Sequence, residues 1–131
     1  MAFDFGLRQI GVAVGNRLTA SSQALTTLRA RDGKPDWEQI RTLLEEWRPD
    51  LLLVGKPLNM DGTDSELSRL AEKFGRRLEG RFGLPVEFMD ERLSSFEAKQ
   101  LLREMGHGGD WREQPADSLA AQLILQSWLE S

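Results

Sequence analysis

The sequence predicts an α/β domain: a mixed five-stranded sheet, made of a three-stranded antiparallel meander and two parallel strands, with helices on both faces. Three observations carry that expectation. Short apolar segments divided by turns open the chain. Helical and extended patterns alternate after Pro35, and Leu51-Leu52-Leu53-Val54-Gly55 is apolar without a break. An unbroken apolar run bounded by turn residues marks a parallel strand covered on both faces.

The elements follow in order. Met1-Ala2-Phe3-Asp4-Phe5-Gly6 reads as a first strand, with Gln9-Ile10-Gly11-Val12-Ala13-Val14-Gly15 folding back beside it and Ala24 to Leu28 as a third. Arg31-Asp32-Gly33-Lys34-Pro35 is a turn-rich break. Asp36 and Gln39 stand at capping-box spacing, and Trp37, Ile40, Leu43, Leu44 and Trp47 recur at helical intervals up to Pro49. After a loop from Lys56 to Thr63, a second helix carries Leu67, Leu70, Ala71, Phe74 and Leu78 on one stripe. Val86 to Met89 is the fifth strand. Ser94 and Glu97 open a helix containing Leu101, Leu102 and Met105, and Gly106-His107-Gly108-Gly109 is flexible by composition. Pro115 suits the first turn of a last helix ending near Leu129. No repeat or boundary interrupts the pattern, so residues 1–131 read as a single domain.

Composition bounds the function classes. A chain of 131 residues with 40% apolar and 29% charged residues supports one soluble core. No leader is expected, since no charged segment precedes an apolar one; there is no bilayer-length apolar run, and no cysteine, which removes disulfides, thiolate metal sites and cysteine nucleophiles. A cytoplasmic protein without a membrane partner is expected. The net charge is −4 and the pI about 5.1, so the molecule as a whole has no basic bias toward nucleic acid. Basic residues nevertheless gather at Arg29-Ala30-Arg31 with Lys34, and at Arg76-Arg77 with Arg81. Such clusters either hold a polyanion locally or form a solvated face.

The chemistry lies in the carboxylates. Asp4 interrupts an apolar strand, where an uncompensated charge costs several kcal/mol, so a metal or a catalytic centre is implied; a turn-capping role beside Gly6 is the alternative. Asp117 leads the helical stripe Asp117, Ala120, Ala121, Ile124 and Trp128, although an acid in a first turn also offsets the helix dipole. Asp90-Glu91-Arg92 follows the fifth strand, and strand ends of open α/β sheets are where ligands bind; Arg92 pairing locally with an acid is the plain alternative. Carboxylates converging from these places would repel one another and require divalent cations. Oxygen-only ligands select Mg²⁺ or Mn²⁺, and two such ions suit phosphodiester hydrolysis.

Other residues are weaker candidates. His107, the single histidine, could shuttle protons from its glycine-rich loop or simply be solvated. The segment from Gly55 to Thr63 is no Walker loop, yet with Lys56 and Asn59 it could meet a phosphate. Trp37, Trp47 and Trp128 lie on apolar stripes and read as core, while Trp111 is placed to stack on a base or to anchor a loop.

Four blocks carry a family resemblance. They are Ala2-Phe3-Asp4-Phe5-Gly6 with Ile10 to Gly15, Val54 to Thr63, Asp90-Glu91-Arg92-Leu93-Ser94-Ser95, and Ala116-Asp117-Ser118-Leu119-Ala120-Ala121. In this order, across essentially the whole chain, they resemble the YqgF/RuvX family of the RNase H-like superfamily, related to the RuvC Holliday-junction resolvase. The resemblance implies an RNase H-like fold and a nuclease that matures the 5′ end of pre-16S ribosomal RNA. Resolution of branched DNA is the second activity it implies. Asp4, Glu91 and Asp117 take the catalytic and metal-binding positions, with Asp90 and His107 as additional candidates. Lys56, Asn59, Arg92 and Arg8 are the candidate substrate contacts, and structured RNA or branched DNA the partner. Two departures stand out. The family usually has several residues ahead of strand one, so a start at Met1 shortens that strand or marks a truncated N-terminus. Lys56 stands where an apolar residue is common. Two other classes compete: an actin-like ATP binder, which needs two such domains, and an assembly factor that binds RNA without cutting it.

Overall fold

In a computed structural model of the chain, residues 1–59, 61–90 and 116–130 are described. The fold is organised by alternation along β1 (Ala2–Asp4). Phe3 and Phe5 enter one apolar cluster, whereas Ala2 enters another on the opposite side, as the pleat of a strand requires. β2 (Gln9–Asn16) pairs antiparallel with β1, and β3 (Ser21–Arg31) pairs antiparallel with β2. β5 (Leu52–Lys56) lies parallel to β1, and β6 (Val86–Asp90) parallel to β5.

The described sheet has six strands, in the order β4-β3-β2-β1-β5-β6, against the five expected. The addition is β4 (Lys34–Pro35), which pairs with the end of β3 through the two-residue turn Asp32-Gly33. Both turn residues have positive φ, 52° and 81°, which matches the twist of a tight hairpin. Pro35 is tolerated because β4 is an edge strand and needs no further N–H donor.

α1 (Trp37–Trp47) and α2 (Glu66–Phe82) cover one face, with Ile40, Leu44, Ala71, Phe74 and Leu78 packed on Phe3, Ile10, Val12 and Val54. Asp36 caps α1 by accepting from the Glu38 amide at 3.0 Å rather than through a box with Gln39. The reciprocal capping box belongs to α2, between Ser65 and Ser68. α3 (Ala116–Leu129) covers the other face, where Ala121 and Leu125 pack on Ala2, Ala13 and Leu53.

Two expectations are corrected here. Trp47 is 40% exposed at the end of α1 and is not core. Trp37 and Trp128 are half-buried: Trp37 stacks on Phe74 at 5.8 Å, and Trp128 donates to Glu87 at 3.2 Å. The buried side of α3 is also wider than the predicted stripe, taking in Ser118, Leu119, Gln122 and Gln126. The helix expected from Ser94, the glycine-rich segment at His107, Trp111 and Pro115 lie outside the described residues. Among the described residues no helix is long and apolar enough to cross a membrane.

Candidate active site

Parallel pairing puts the carboxyl ends of β1, β5 and β6 at one end of the sheet, so Asp4, Lys56 and Asp90 end their strands side by side. Asp4 is half-buried, and its register partner on β2 is Gly11, which brings no side chain against it. The chain turns sharply just beyond, at Gly6, where a Cβ would lie 2.4 Å from the Gln9 carbonyl oxygen. Glycine is therefore required for β2 to begin so close to Asp4.

The helix on that face brings in Asp117. Ala121 of α3 packs at the level of Ala2 and Ala13, and Leu125 reaches Gly15 further down β2. α3 thus runs away from the end where Asp4 sits. Four residues of helix back from Ala121 rise about 6 Å, and two strand residues from Ala2 to Asp4 rise about 7 Å. The backbone of Asp117, in the first turn of α3, consequently lies level with Asp4 on the same face. The Asp117 side chain is outside the described residues.

Asp90 is half-buried at the end of β6, in register with Lys56. It is two strand spacings from β1, about 10 Å sideways. Glu91, Arg92 and His107 fall outside the described residues, and among the described residues no three acids or histidines gather as a metal site. The donors present are carboxylate oxygens, a set that fits hard divalent cations such as Mg²⁺ or Mn²⁺.

Lys56 is held by two carboxylates, Asp64 at 3.7 Å and Glu72 at 3.6 Å, with its ammonium 5.8 Å from the centre of the Phe88 ring. Sequence reasoning did not single out Asp64 or Glu72. The spacing of Glu72 to Arg76, one helical turn, was the available signal, and that pair does form. The loop after β5 is knitted to itself: Asn59 Nδ2 donates to Thr63 Oγ1 at 3.0 Å, and Thr63 Oγ1 to Asp61 at 2.6 Å. Ser65 Oγ closes it onto the Pro57 carbonyl at 2.6 Å. Arg8 is exposed on the turn after Asp4, with its carbonyl accepting from the Ala30 amide at 2.8 Å.

Comparison with known proteins agrees with this architecture. The family model described as "RuvX: Holliday junction resolvase" matches residues 1–131. A protein of Chromohalobacter salexigens named "Putative pre-16S rRNA nuclease" is 62% identical over 128 residues, which is 98% of this chain and 86% of that one. Relatives of the same name from Saccharophagus degradans and Pseudomonas putida are each 54% identical, over 98% and 100% of this chain and 90% and 94% of theirs. Among solved structures, Thermus thermophilus RuvC in complex with a Holliday junction substrate superposes with a TM-score of 0.62 at 17% identity, covering 95% of this chain and 88% of that chain. At that identity the likeness speaks to the fold, which is RNase H-like.

Proposed function

This chain belongs to the RuvX family, and from that membership we propose that it is a metal-dependent endonuclease acting on structured nucleic acid. Its task on this reading is maturation of the 5′ end of pre-16S rRNA in the cytoplasm, as part of ribosome biogenesis. The names of its relatives support the RNA substrate. One observation carries the chemistry: Asp4 ends a central strand level with the first turn of α3, where Asp117 sits.

Asp4, Glu91 and Asp117 would hold Mg²⁺ or Mn²⁺. Asp90, the additional candidate, is in register with Lys56 and shares the strand face of Phe88, which puts it on the α2 side of the sheet, away from Asp4. Two such ions supply an activated water and stabilise the departing oxygen. β1, paired on both sides, fixes the Asp4 backbone, so its carboxylate needs little reorganisation to bind a cation. Arg8 and Arg92 meet substrate phosphates, and His107 serves proton transfer. Lys56 and Asn59, with the contacts described above, shape the loop beside the site.

A second substrate, branched DNA, is favoured by the family's description and by the likeness in fold to a resolvase. Phosphate contacts do not distinguish the two. Cleavage of a pre-16S rRNA fragment and of a four-way DNA junction, measured side by side with Mg²⁺ and Mn²⁺, assigns the substrate. Asp4→Asn should abolish whichever activity is found. Groups one step removed from a metal already cost about 10–100-fold when lost, so a direct ligand should cost more. If cells carrying Asp4→Asn mature their rRNA normally, the protein binds RNA without cutting it.

A further inference from the structure

We propose that the α1/α2 face carries a second nucleic-acid contact, a cationic groove that grips the phosphate backbone away from the bond being cut. This rests on the nuclease reading and adds a surface to it. Lys34 of the β3–β4 hairpin meets Lys73 and Arg77 of α2 along one groove floored by Phe5, Trp37 and Phe74. Arg81 extends the row, its guanidinium 4.4 Å from the centre of the Trp37 ring. Lys73, Arg77 and Arg81 stand four residues apart and so share one face of α2. The two basic clusters of the sequence, more than forty residues apart, are in this way made neighbours.

Lys34, Lys73 and Arg77 are exposed, and among the described residues none is in an ion pair. Arg76 next door is by contrast spent on Glu72. Among the described residues Asp32 is the only carboxylate in the lining, so positive charge is concentrated here on a molecule whose net charge is −4. That combination fits a polyanion. The hairpin is also held in place: the Gly33 amide donates to the Leu7 carbonyl at 2.9 Å, and a Cβ at Gly33 would meet Phe5 Cζ at 2.8 Å.

Size and direction define what the groove can do. Its cavity is about 50 Å³, far below the roughly 300 Å³ at which pockets begin to enclose small ligands. No base inserts; phosphates pass over it, without sequence preference. Phe5 faces this groove whereas Asp4 belongs to the α3 face, so the contact is remote from the scissile phosphate. Binding of that kind is equal in ground and transition states, and it lowers KM without changing kcat.

The test uses Lys34→Glu, Lys73→Glu and Arg77→Glu, with Arg17→Glu, exposed in the β2–β3 turn beside Trp128 on the α3 side, as a charge-matched control. Affinity for an RNA hairpin and for a four-way DNA junction is measured against salt in the Asp4→Asn background. Each groove variant should weaken binding and reduce the slope of log K against log salt by about 1, while the control stays near wild type. In the active enzyme KM should rise with kcat within twofold. A response in one arm supports the groove and identifies its nucleic acid. Affinities and slopes equal to the control in both arms overturn it, as does a fall in kcat at constant KM. Should Asp4→Asn retain cleavage, the catalytic assignment fails, while the binding arms still judge the groove.

Discussion

Lys56 shows how far a residue's type can be read without its neighbours. On a strand end beside a polar loop, a lysine suggests a phosphate contact. Between Asp64 and Glu72 it is instead largely neutralised, and it ties the β5–α2 loop to the second turn of α2. The N–O distances of 3.6 and 3.7 Å exceed those of a charge-assisted hydrogen bond, so the brace is modest in strength. Lys56→Met keeps the stem over Phe88 and removes the charge. It should lower stability by at most about 1 kcal/mol and leave KM within twofold. A tenfold rise in KM would return Lys56 to the substrate. Asp36 was more legible, because a cap depends on local chain geometry alone, and its side chain does accept from the Glu38 amide.

At the scale of elements, α3 was visible in the sequence, but its buried side was not. Apolar periodicity passes over glutamines, and here they lie in the interface with β3. Gln122 Nε2 donates to the Ser22 carbonyl at 2.9 Å, Gln126 Nε2 to the Ala20 carbonyl at 3.2 Å, and Ser22 Oγ to Gln126 Oε1 at 2.6 Å. Only the folded partner, a strand a hundred residues earlier, makes those positions tolerable. β4 was missed for a related reason. Asp32-Gly33 is a strong hairpin signal, but Pro35 weakens the strand reading unless the strand is known to be an edge. Apolar packing such as Ala121 and Leu125 on Ala2, Ala13 and Leu53 is non-directional, so these bonds help set the position of α3 along the sheet, and so the height of Asp117. Gln126→Leu strands a buried hydroxyl and a carbonyl, and should cost about 1–3 kcal/mol in urea unfolding at unchanged m-value. Ser22→Ala should cost less, and the double variant less than the sum, since both act on one bond. Full additivity would mean that the bond contributes nothing.

The whole molecule has two unlike ends, and the parallel strands decide which is which. Acids distant in sequence reach the carboxyl end because β1, β5 and β6 run the same way, and the apolar run at Leu51 to Gly55 made that direction readable in advance. At the opposite end Met1 is buried, and its amino group donates to the Leu51 carbonyl at 3.0 Å. Burial lowers the pKa of that group from 8.0 to about 6, with Asp50 opposing the shift. Between those values the unfolded chain holds a proton there that the folded chain has released, so stability should rise as pH goes from about 6 to 8. Below that window both states are protonated and the full penalty of a buried charge applies; above it neither is, and the curve flattens. The total is at most about 2–3 kcal/mol, from 1.36 kcal/mol for each pKa unit. Urea midpoints across this range measure it. A form extended by a few residues ahead of Met1 moves the amino group into solvent and should lose the slope; a slope that persists in that form would overturn the assignment to Met1.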